Sequence, residues 1–220
     1  MTLPPEVPSA SLLEERLTPA ASGEALQIKD ADETFRTSIL TEEGDHSELA
    51  VESLATAYVI VTNSLAETLY KVLANLEGGS DRRHLALRRE EACVAAWTAI
   101  QTAIGCSALN LFHRRSILHV LKERLLMYWQ SRAKSSDWLD MRAARCLLGN
   151  DGGSFAAVAI RIIAALFESI GLPSDEHEGH ARALAGMVAH RIASDVHLLN
   201  EWELRQTMQK AFPPSGQQSF

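Results

Sequence analysis

The sequence predicts an all-α protein, a multi-helix bundle of about six helices behind a disordered acidic N-terminal tail. Three observations predict it. Ala and Leu dominate while β-branched and aromatic residues are sparse, which favours helix over sheet. Apolar residues recur at steps of three and four over long stretches, with no sustained strand alternation. Four of the seven prolines (Pro4, Pro5, Pro8 and Pro19) fall in the first 44 positions, among acidic and small polar residues.

Residues 1–44 therefore read as a flexible tail, 45–212 as a single helical domain and 213–220 as a disordered C-terminal tail. Within the tail, Ser11 to Leu17 has the pattern of one amphipathic helical turn, transient or a docking peptide. The body opens at Asp45, which with Glu48 has capping-box character. Leu54, Tyr58, Val61, Leu65, Leu69, Val72 and Leu76 then form a helical stripe of seven or eight turns, closed by Gly78 and Gly79. The locally β-like run Tyr58 to Thr62 is expected to yield to the longer helical pattern.

Ser80 and Asp81 can cap a second helix, roughly 82–105, with apolar positions Ala92, Cys93, Ala96, Trp97, Ile100 and Ile104. Gly105 and Ser107 mark a kink or break. A third helix, about 108–133, carries Leu111, Phe112, Leu118, Leu121, Leu125 and Trp129. Ser136 is an expected N-cap for a shorter helix, about 137–148, with Trp138, Met141, Ala144 and Leu148 inward. The breaker Gly149 to Gly153 and a cap at Ser154 precede an apolar helix, Phe155 to Ile170. Its apolar residues lie nearly all round, so it is expected to be the central, most buried element. Gly171, Leu172 and Pro173 stop it. The last helix starts at Ser174, with Asp175 and Glu176 in the orientation the helix dipole favours. Its stripe is Leu184, Val188, Ile192, Val196, Leu199 and Trp202, and Pro213 and Pro214 end it.

Charge is segregated along the chain. Residues 1–70 hold three basic side chains against thirteen acidic ones, and residues 71–161 fourteen against eight. Residues 162–220 hold four against seven, and the whole chain carries −7. That net charge disfavours non-specific nucleic-acid binding by the whole molecule but permits a local basic groove. Arg82, Arg83, Arg88, Arg89, Arg114, Arg115, Lys122, Arg124, Arg132, Arg142 and Arg145 are the candidate partner- or nucleic-acid-binding residues. His113 and Lys134 stand among them, with Tyr128, Trp129 and Trp138 nearby. Arginine beside aromatics is what a phosphate backbone and unstacked bases require. The competing reading is a solvated helix surface, paired within the chain. Arg82 and Arg83 also stand at a helix N-terminus, where cations are disfavoured.

His177 and His180, three apart in an acidic first turn, are the candidate metal ligands. Their spacing differs from the His-Glu-x-x-His pattern, and a polar helix start explains them equally. His119 to Lys122 shares the His-x-Leu-Lys spacing of histidine phosphotransfer bundles. Glu123, Arg124 and Leu125 replace the small residues that follow there, so no such role is assigned. The Gly149–Gly153 loop lacks the Lys-Ser/Thr of a phosphate-binding loop. Cys93, Cys106 and Cys146 fit neither a disulfide framework nor a zinc-site spacing. No residue has the local signature of a nucleophile, and no cofactor is expected.

Met1 to Ser11 lack a basic region and an apolar run, which predicts no signal peptide, and Arg161 interrupts the apolar run Phe155 to Ile170. The expectation is a soluble, cytoplasmic protein. Its leading functional class is a non-enzymatic interaction or assembly protein, binding a protein partner or itself through acidic and basic surfaces. The alternatives are a helical nucleic-acid-binding subunit, and a ligand- or metal-binding sensor.

Overall fold

The computed structural model describes residues 47–76, 82–129, 136–147, 154–172 and 176–211. All of them belong to one unit, Ile39–Phe220. The acidic tail, the capping residues Asp45 and Asp81, the glycine pairs and the final prolines lie outside the described residues. Among the described residues there are six helices and no strand: α1 Ser47–Leu76, α2 Arg82–Cys106, α3 Leu111–Tyr128, α4 Ser136–Leu147, α5 Phe155–Ser169 and α6 Glu178–Ala211.

Helix α1 follows its stripe. Leu54, Tyr58, Val61, Leu65 and Leu69 are buried, and the stripe then passes through Leu73 rather than Val72. A helix of 3.6 residues per turn drifts off any strict alternation of threes and fours, which accounts for the shift. The β-like segment is helical, and Thr62 solves its own burial by donating to the Tyr58 carbonyl at 2.6 Å. Thr98 and Thr102 do the same on α2, to Val94 and Thr98.

The central element is α2, not α5. It packs against all five other helices, and from Glu91 to Ile100 only Cys93 is less than buried. The cause is side-chain size. Ala92, Ala95, Ala96, Ala99 and Ala103 let neighbours approach from several sides. The expectation for α5 is corrected. Val158, Ala159, Ile162, Ile163, Leu166 and Phe167 face inward, while Ile160 is 59% exposed. A high apolar fraction alone does not draw a helix to the centre when its side chains are bulky and it lies at one flank.

Two helix ends show their chemistry. Ser154 caps α5, accepting from the Ala157 amide. At the other end the Leu172 amide reaches the Phe167 carbonyl and the Gly171 amide reaches Glu168. Gly171 sits at φ 72°, the left-handed conformation this double closure needs. The joint core draws Leu65, Leu69 and Leu73 from α1, the alanines of α2, the inner face of α5, and Leu184, Val188 and Ile192 from α6.

Helices α3 and α4 depart from their expected faces. On α3 the inward stripe is His113, Ile117, Leu121 and Leu125, while Leu111 and Phe112 are each 60% exposed. On α4 Leu139 and Ala143 are buried, whereas Met141 and Ala144 face out. One described helix segment, Leu49–Leu76, is long and apolar enough to cross a membrane by length and composition. Its inward stripe is spent on the bundle core.

Candidate functional site

The candidate cations do not form one exposed flank. Arg88 is buried and donates to the Leu73 carbonyl at 2.9 Å. Arg89 lies 2.6 Å from Glu67, whose carboxylate raises the guanidinium pKa, and it covers the Tyr70 ring. Arg114 turns back to the Ser107 carbonyl at 3.0 Å. Lys122 pairs with Asp140 of α4 at 2.7 Å. Arg124 holds Glu52 and Thr56 of α1, and Arg142 holds the buried Glu91 of α2. Apart from Arg114, which bonds back to the α2–α3 connection, these contacts are inter-helix clamps. Arg82, Arg83 and Arg115 are exposed. Arg132, and the side chain of Arg145, lie outside the described residues.

A polar cluster closes one end of the bundle, and sequence reading missed its main member. Asn110 precedes α3 in an extended conformation and its side chain accepts from the His113 amide at 2.9 Å. The cap fixes the first turn so that His113 points inward, where it is 2% exposed. Its Nδ1 lies 2.7 Å from Glu203 Oε2, and Asn110 Nδ2 lies 2.8 Å from Glu203 Oε1. A carboxylate only accepts, so the Nδ1 proton belongs to this bond. The Trp202 ring meets the imidazole edge-on, with centroids 5.1 Å apart. Asn200 accepts from the Ala108 amide. One turn of α6 thus ties down the whole start of α3.

Exposed apolar residues neighbour that knot in the chain. Leu111 and Phe112 lie between Asn110 and His113 in the chain, and Leu204 follows Glu203. Leu204 is 60% and Met208 54% exposed. Beyond Trp202, α6 continues to Ala211 without one buried residue among those whose exposure is described. Leu204, Met208 and Ala211 are spaced by four and three, so they share one face of that extension.

A second polar cluster lies inside the bundle. Asp195 is fully buried, takes Arg191 in a two-point contact with Nε at 2.8 Å, and receives the Tyr58 hydroxyl at 3.5 Å. The two-point guanidinium bond and the phenol supply the donors a buried carboxylate requires.

The His177 ring rests 6.2 Å from the Phe167 ring, and His180 is exposed. No group of three His, Cys, Asp or Glu side chains that could hold a metal ion occurs among the described residues. Cys93 is packed between helices and burial pushes its thiol up to about 12, against the opposing pull of Arg89. Cys106 is exposed at the end of α2.

Comparison with protein-family models, with curated proteins and with solved structures finds no match for this chain. The functional reading therefore stands on the geometry alone.

Proposed function

We propose that this chain is a non-enzymatic helical interaction or assembly protein. The observation that carries the reading is the bare end of α6. A helix extension with Leu204 and Met208 in water is costly to leave uncovered and suits a partner surface. Its support has moved from charge to apolar contact, because most of the described candidate cations serve the fold itself. Association through this end should accordingly depend weakly on salt.

The test is affinity purification of the full chain from its native source, with and without nuclease, alongside Leu204→Glu. Protein capture that survives nuclease and is lost in the variant supports the reading. Capture of no protein, together with a purified chain that stays monomeric, rejects it.

A nucleic-acid reading keeps one specific observation in its favour. Arg82, Arg83 and the adjacent His84 are exposed at the start of α2, where the helix dipole gives them no support. Retention of nucleic acid at low salt, lost in an Arg82→Glu/Arg83→Glu double variant, would favour it.

A further inference from the structure

We propose that Trp97 and Gln101, on successive turns of α2, bind one water molecule inside the bundle as a bridge between them. The site is separate from the interaction reading above and stands or falls without it.

Two atoms carry the inference. Trp97 is 1% exposed, and its indole Nε1 has no hydrogen-bond partner among the described residues. Gln101 is half-buried, and its Oε1 is sealed from solvent with no partner either. A buried polar atom without a partner is costly, and native folds keep few of them. Here two occur four residues apart on the central helix. Positions i and i+4 share a face, and helical side chains lean towards the N-terminus. Gln101 therefore reaches back along α2 to the turn that bears Trp97.

The two atoms are complementary. An indole N–H only donates, and an amide oxygen only accepts. No direct bond joins them. A group that satisfies both must accept from Trp97 and donate to Gln101. An ionised carboxylate accepts only and an ammonium donates only, so neither can serve. A hydroxyl does both, and water is its smallest bearer. Folded proteins hold roughly one internal water per 27 residues, each on about two to four polar partners. This pair meets that requirement.

The fold offers no substitute of its own. Thr98 and Thr102, the nearest buried hydroxyls in the chain, donate to the Val94 and Thr98 carbonyls. The backbone of this stretch is engaged in helix α2 itself. Trp129 shows the other solution, since its Nε1 donates to Asn63 at 2.5 Å. Trp97 has no such side chain. Gln101 is the member of the pair that still meets solvent, so the water can enter and leave beside it.

The experiment is nuclear magnetic resonance of the full chain with isotope-labelled indoles, water itself being the probe. The Trp97 signal is assigned by its loss in Trp97→Phe. The expected result is a cross-peak from the Trp97 N–H to the water resonance, opposite in sign between NOESY and ROESY spectra. That pattern marks a bound water rather than proton exchange. Gln101→Leu should abolish it, and the surface control Glu123→Gln should leave it unchanged, with circular dichroism confirming helix content. A folded wild-type chain without the cross-peak overturns the inference. A cross-peak undiminished in folded Gln101→Leu overturns it too, because the water then bridges nothing. Cross-peaks to carbon-bound protons of a copurified molecule also overturn it, and give the hydroxyl to that ligand. If Gln101→Leu loses helix content, Gln101→Met decides in its place.

Discussion

The two parts of α6 share one helix and one spacing but meet opposite surroundings. From Leu184 to Trp202 its inner face is buried against α2 and α5, and Asp195 is sealed there with Arg191 and Tyr58. From Glu203 to Ala211 the same periodicity continues, and no residue there whose exposure is described is buried. Propensity does not separate the two parts. The first is held by the bundle, and the second by its continuity with the first and by the bonds of Glu203 to His113 and Asn110. The bundle thus has a charge-locked interior and a polar, hydrogen-bonded rim that opens onto exposed apolar groups.

The largest expected effect tests the interior. Asp195→Ala leaves the Arg191 guanidinium, itself largely buried, without its counter-charge, and should cost about 3–5 kcal/mol in denaturant unfolding. At the rim, Glu203→Ala removes the acceptor that His113 and Asn110 share and should cost about 1–3 kcal/mol by the same measurement. Equal losses at the two sites would break the comparison, since the rim would then be as tightly constrained as the interior. Farther out, Leu204→Ala and Met208→Ala should each change unfolding of the dilute chain by no more than about 0.5 kcal/mol. A larger loss would show that the extension is packed in solution.

The smallest effect is chemical. Cys106 should alkylate readily at pH 8, while Cys93 should be protected, because a thiol with a pKa of about 12 is only about one part in ten thousand thiolate there. Peptide mapping by mass spectrometry reads both. The sign of the linked stability follows from the direction of the shift. A thiol raised from 9.0 to about 12 supports the fold fully below pH 9, and that support is lost as pH rises towards 12.

The helices were legible in the sequence because they rest on local signals. The starts of α2 and α5 and the stop at Gly171 were read from single residues that act within one turn. The stripe of α6 was right at Leu184, Val188, Ile192, Leu199 and Trp202. It passed over Asp195, a carboxylate that looks like surface until Tyr58, 137 residues earlier in the chain, is placed beside it. Glu203 was missed for the same reason, since its partners Asn110 and His113 lie 93 and 90 residues away. On α3 the error had a visible clue. Asn110 three residues before His113 is a capping signal, and it would have turned His113 inward and Leu111 and Phe112 outward. The basic middle misled in a different way. A count of arginines gives charge but not direction, and Arg88, Arg114, Arg124 and Arg142 point at carbonyls, a hydroxyl and carboxylates of their own chain.

Arg88 shows what such an inward cation does for the whole molecule. Leu73 lies in the last turn of α1, where carbonyls lack a partner from their own helix. The Arg88 guanidinium supplies one across the α1–α2 hairpin. The alignment of the two helices is thereby written into a residue within them. A chain reopened between α1 and α2, with its ends moved elsewhere, would still carry the instruction for bringing the two back together in the same phase.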